Sequence, residues 1–99
     1  MARPHFVLTA GARQDLLDIE SYITYRDGEL RAHGVLIRIL GLMGRLAYNP
    51  RIGRCREDLI GKPLSFPVMS WAIYYEPIPD GVRILRIIST RRDIDKAWP

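Results

Sequence analysis

"WAIYYEPIPDGVRILRIIS", residues Trp71 to Ser89, carries the decision about the fold. Two runs rich in β-branched and aromatic residues, "WAIYYEP" and "VRILRIIS", flank "IPDG". Asp80-Gly81 there is a strong hairpin signal, because tight turns need the positive φ that these residues tolerate. Two adjacent antiparallel strands are therefore expected. Along the second, Val82, Ile84, Arg86 and Ile88 alternate with Arg83, Leu85 and Ile87, so neither face is plainly polar. One face can pack on helices; the other needs cover.

Upstream, "SFPVM" (Ser65 to Met69) reads as a third strand. Before it "NPRIGRCREDLIGKPL" (Asn49 to Leu64), with two prolines and two glycines, reads as irregular chain. The periodicity then changes to that of helices. Glu29 to Tyr48 forms one, stopped by Pro50, which forces Asn49 out of helical geometry. Its apolar residues surround most of the circumference, apart from Arg31, Arg38 and Arg45, spaced by seven. A helix this apolar is expected to be covered on more than one side. Gly34, Gly41 and Gly44 are expected to serve close packing against its neighbour.

That neighbour runs from an N-cap at Thr9 to Asp27-Gly28, with Ala12, Leu16, Ile19 and Ile23 on one face and Asp15, Asp18, Glu20 and Ser21 elsewhere. "HFVLT" (His5 to Thr9) is a short first strand. The order is β-α-α-β-β-β: an α+β domain over residues 1–99, with a two-helix hairpin packed on a mostly antiparallel sheet.

The totals bound the function. With 99 residues and 47% hydrophobic content, the chain supports one modest core. The net charge of +4 and pI of 9.6 point to acidic proteins or nucleic acid as partners. Six basic and five acidic side chains in residues 1–50 give +1, and nine and six in 51–99 give +3, so the excess is C-terminal. Cys55 is the single cysteine, no signal-peptide core opens the chain, and no apolar run approaches the roughly 20 residues of a membrane span, so a cytoplasmic protein without membrane contact is expected.

His5, His33 and Cys55 are scattered, so no metal site is expected, and no phosphate-binding or dinucleotide-binding glycine motif suggests a cofactor. Metal-free RNA cleavage requires a base, an acid and cations for the phosphate. Arg54, Arg56, Lys62, Arg86, Arg91 and Arg92 supply cations; only Tyr74, Tyr75 and Asp93 offer themselves for proton transfer. The alternative is a solvated basic surface.

Six stretches, "LTAGARQDLLDIESYI" (Leu8 to Ile23), "NPRIGR" (Asn49 to Arg54), "SFPV" (Ser65 to Val68), "AIYYE" (Ala72 to Glu76), "DGVRILRII" (Asp80 to Ile88) and "RRDI" (Arg91 to Ile94), occur in the order found in the ParE branch of the RelE/ParE toxin superfamily, which the chain resembles. The resemblance implies the same fold and the toxin of a type II toxin-antitoxin system. It implies a cognate ParD-like antitoxin in a hetero-oligomer, and DNA gyrase as target, with DNA contacted only through either partner. It implies an inhibitor, not an enzyme. The alternative is a RelE-like ribosome-dependent mRNA interferase. Those relatives use a C-terminal His or Tyr, and "DIDKAWP" has neither. Ser89 and Thr90 stand where ParE-like chains usually carry a histidine and a small residue, and Cys55 where proline is common.

On this basis Arg54, Arg56, Arg86, Arg91, Arg92 and Asp93 are expected to bind target or antitoxin, with Asp93 orienting the two arginines. Pairing of Arg91 and Arg92 inside the domain, with Asp95 or Glu76, is the competing reading. Ile37, Leu40, Met43, Ile84 and Ile88 are expected to line an apolar antitoxin groove.

Overall fold

The hairpin forms: β4 (Trp71–Ile78) and β5 (Gly81–Ser89) pair antiparallel, with Ile78 opposite Gly81. The computed structural model describes residues 3–99. The turn residues are Pro79 and Asp80, so Gly81 is not part of the turn but the first residue of β5. Its φ is 144°, and a Cβ there would collide with the backbone of His5. The glycine is therefore needed by β1 (His5–Leu8), which runs parallel to β5 with His5 opposite Gly81.

Strict alternation along β5 does not hold. The register shifts between Tyr74 and Tyr75, which pair with Arg86 and Ile84 and leave Leu85 without an opposite residue. Such a bulge turns the following side chains to the other face. Val82, Ile84 and Ile87 thus enter the main core under the helices, while Ile88 joins Leu59 and Tyr74 in a second cluster.

The helix boundaries follow the capping signals. Helix α1 (Ala10–Asp27) starts behind Thr9, whose Oγ1 accepts from the Ala12 N–H at 3.1 Å and donates to the Leu85 carbonyl at 2.8 Å. One hydroxyl so caps the helix and ties it to β5. Gly28, at φ 91°, ends α1, and α2 (Glu29–Tyr48) starts directly after it. The main core is built from Ala12, Ile19 and Ile23 of α1, from Ala32, Val35, Ile39, Met43 and Leu46 of α2, and from the sheet. Gly34, Gly41 and Gly44 do not mediate the packing expected of them: a Cβ at any of the three would meet nothing within 4 Å.

Three short elements escaped the sequence pattern. A 3-10 turn (Pro50–Ile52) leads into the two-residue β2 (Arg54–Cys55), which pairs with β3 (Leu64–Val68). Tyr75 pins this turn: its hydroxyl accepts from the Gly53 N–H and donates to the Pro50 carbonyl, both at 2.9 Å. The four-residue α3 (Ile94–Ala97) follows β5. The Trp98 ring lies 5.2 Å from that of Tyr74, and its Nε1 donates to the Ile60 carbonyl at 2.9 Å. Leu59 and the C-terminal segment thereby cover the sheet face away from α1 and α2. The cover that β5 required comes from the chain itself. The result is an α+β fold of three helices on one five-stranded mixed sheet, in the order β1-β5-β4-β3-β2. No helix among the described residues is long and apolar enough to cross a membrane.

Candidate functional site

β1 pairs with β5 only as far as Ile84, which leaves the later edge of β5 without a strand. Helix α1 closes that edge. Asp15, 9% exposed, accepts from the Ile87 N–H at 2.8 Å and from Nε and Nη2 of Arg86 at 2.7 and 3.0 Å. These bonds raise the Arg86 guanidinium above its ordinary range, against the opposing effect of burial. Arg86, expected to face a partner, is instead committed to the fold.

Arg91 and Arg92 emerge from a tight turn. The Arg92 N–H donates to the Ser89 carbonyl at 3.1 Å, and the Arg91 N–H to Ser89 Oγ at 3.2 Å. Both the N–H and the hydroxyl of Thr90 donate to the Ser70 carbonyl. This joins the turn to the β3–β4 hairpin tip, where Met69 sits at φ 52°. Ser89 and Thr90 are thus structural fastenings that aim the arginines. Asp93 does not orient them: its carboxylate caps α3 by accepting from the Asp95 N–H at 3.1 Å. Glu76 is taken by Arg83 at 3.0 Å.

The two arginines open on a cleft of about 560 Å³ between α1, α2 and the ends of β4 and β5. Arg26, Arg31 and Arg38 line its helical wall, with Trp71, Met69, Ile19 and Val35 as apolar lining. The ion pairs among the described residues are Arg56–Asp58, Arg83–Glu76 and Arg86–Asp15, and none uses a cleft arginine. Five arginines therefore line the cleft without an ion pair, beside Asp18 and Asp27, and Arg26 donates to the Tyr22 hydroxyl at 2.9 Å. Arg31 and Arg38 were visible in the sequence as a stripe; Arg26 was not singled out.

Arg54 and Arg56 do not join them. Arg54 lies on β2 and Arg56 just past its end, three strands from β5, or about 14 Å at ordinary strand spacing. Arg54 is exposed, whereas Arg56 forms a bidentate pair with Asp58 at 3.0 and 2.8 Å. Those hydrogen bonds hold the Asp58 carboxyl below the usual carboxylate range. The proton-transfer candidates are occupied too. Tyr75 is fully buried, Tyr74 lies under Trp98 with Arg56 Nη1 at 3.4 Å, and Asp93 is a helix cap.

The apolar groove is corrected in part. Met43 and Ile84 belong to the main core and Ile88 to the second cluster, none more than 2% exposed. Met43 continues the inward-facing row of α2, and the bulge separates Ile84 from Ile88. Ile37 and Leu40 do face outward, 57% and 38% exposed. No group of three metal-ligating side chains occurs among the described residues.

The fold and the cleft can be set beside known proteins. The family model described as "ParE toxin of type II toxin-antitoxin system, parDE" matches residues 6–94. A solved structure titled "Chromosomal ParDE TA system from P. aeruginosa" superposes with a TM-score of 0.74, at 19% identity, over 86% of this chain and 94% of that one. No curated protein matches the sequence. At that identity the structural likeness establishes the fold alone. Because the family match spans nearly the whole described domain, the chain belongs to the ParE toxin family of type II toxin-antitoxin systems.

Proposed function

We propose that the chain stops growth by docking on DNA gyrase through the arginine-lined cleft, without chemistry of its own, and that a ParD-like antitoxin neutralises it in a hetero-oligomeric complex. One observation carries this reading. None of the cleft arginines is held in an ion pair among the described residues, while Tyr74, Tyr75 and Asp93 are all engaged within the fold. Such a surface suits bidentate recognition of carboxylates and phosphates. It is poorly equipped to move protons.

The test uses two reactions in parallel. Purified toxin is added to a gyrase supercoiling assay and to cell-free translation. Stalled cleavage complexes are expected in the first, and intact mRNA in the second. The Arg91→Ala/Arg92→Ala variant is expected to keep the thermal midpoint of the parent and to lose at least tenfold in gyrase poisoning. Shortened mRNA would replace this reading by that of a ribosome-dependent ribonuclease.

A further inference from the structure

The positive charge of the chain is concentrated at the cleft. Its five arginines, set against Asp18 and Asp27, leave +3 there out of a net +4 for the whole chain, since Asp15 is neutralised by Arg86. All five are exposed, and they stand on both walls: Arg26 on α1 and Arg31 and Arg38 on α2, with Arg91 and Arg92 on the turn after β5. Between the walls the lining turns apolar and buried. Ile19, Val35 and Ile87 are at most 6% exposed, and half-buried Trp71 packs on the main core. The Arg26 guanidinium lies 5.5 Å from the centre of the Tyr22 ring, which also lines the cleft. The recess is thus cationic at the rim and aromatic and apolar inside.

We infer that the cleft binds an unpaired DNA strand directly, with phosphates between the two arginine walls and a base stacked on Trp71. Guanidinium groups on both sides suit a polyanion that runs between them. An aromatic ring set deeper than the charges suits a ligand that carries flat apolar groups along a charged backbone. Every base has such a face, and in a duplex it is hidden by its neighbours. At about 560 Å³ the recess has the size of a small-molecule pocket, room for a nucleotide or two and not for a double helix. An acidic peptide would meet the arginines equally well, but it brings no flat ring in register with its charges. DNA then touches the chain itself and not only its partners. The inference deepens the gyrase reading and rests on it for the choice of DNA over RNA, whose backbone and bases offer the same chemistry.

Fluorescence anisotropy of the purified full-length chain, without gyrase, reads binding to a twelve-nucleotide oligothymidylate. The comparators are its duplex with oligodeoxyadenylate, an abasic strand of the same length, a twelve-residue glutamate peptide and an oligouridylate. The oligothymidylate should bind at least tenfold more tightly than the duplex or the peptide, and at least fivefold more tightly than the abasic strand. With three to five phosphates engaged, the logarithm of the binding constant should fall with that of salt at a slope of about −2 to −3.5, and Arg91→Ala/Arg92→Ala should flatten it by about 1.4. In Trp98→Phe, Trp71 is the one tryptophan left, and its fluorescence should be quenched by the oligothymidylate but not by the abasic strand. The comparison of strands uses the unaltered chain, so it decides even where a variant is unstable. No binding of the oligothymidylate at about 100 µM, the weak end of non-specific affinity, would overturn the inference. So would equal binding of peptide, duplex or abasic strand, an unchanged salt slope in the arginine variant, or unquenched Trp71. An oligouridylate bound more tightly than the oligothymidylate would overturn the choice of DNA. Gyrase poisoning by a chain that binds no strand ends this inference alone; strand binding by a chain that leaves gyrase unaffected upholds it and ends the functional reading.

Discussion

Replacing Asp15 by alanine removes the acceptor of three hydrogen bonds at once: two from Arg86 and one from the Ile87 backbone. The Ile87 N–H loses its only side-chain partner at the uncovered edge of β5, and an unsatisfied buried donor costs about 1–3 kcal/mol. The Arg86 side chain, 22% exposed, retains some water, which reduces the penalty of orphaning its charge below the 3–5 kcal/mol typical of a fully buried pair. The combined loss is about 3 kcal/mol, a large share of the roughly 5–15 kcal/mol that stabilises a domain. At roughly 4–8 °C per kcal/mol for a chain of this size, the thermal midpoint should fall by about 12–24 °C. Asp15→Asn keeps one acceptor for the Ile87 N–H and should lose about half as much. Urea titration followed by circular dichroism measures both, and Asp15→Ala/Arg86→Met completes a cycle in which the double variant loses less than the sum of the singles. A shift below about 4 °C for Asp15→Ala would refute the view that this carboxylate, rather than the apolar contacts of α1, holds the helix to the strand edge.

Two further outcomes concern the outer helix and the core phenol. Gly34→Ala and Gly41→Ala should each raise stability by roughly 1 kcal/mol, since alanine restores helix propensity and its Cβ meets nothing; a loss in either thermal midpoint would contradict the open geometry. Burial pushes the Tyr75 phenol up, against the opposing hydrogen bond from the Gly53 N–H. In the unfolded chain it ionises near pH ~10, so its contribution is fully present below that pH and is lost as pH rises through the higher folded value. Tyr75→Phe should cost about 1–2 kcal/mol at neutral pH, by stranding Gly53 N–H and the Pro50 carbonyl, and should flatten the alkaline loss of stability measured by urea titration from pH 8 to 11.

The two long helices, the β4–β5 hairpin and the order of the major elements follow from local chemistry. Thr9 offers a cap, Gly28 a left-handed joint, Pro50 a stop, and the runs around Asp80 a hairpin; each acts within a few residues. The same local signals placed Arg91 and Arg92 beyond the last strand. Asp15, by contrast, falls with Asp18, Glu20 and Ser21 outside the apolar row of Ala12, Leu16, Ile19 and Ile23 in the helical periodicity, so neither its burial nor its partner is legible there. Only the tertiary structure decided that the partner is Arg86, 71 positions away, because the choice depends on where β1 ends against β5. The bulge at Tyr74 and Tyr75 likewise depends on the partner strand, and it sent Ile84 and Ile88 to opposite faces of the sheet. The meeting of Arg26, Arg31 and Arg38 with Arg91 and Arg92 depends on how the helical hairpin sits on the sheet. Periodicity reports which side of an element is greasy; the register between elements, set by long-range packing, determines what each side touches.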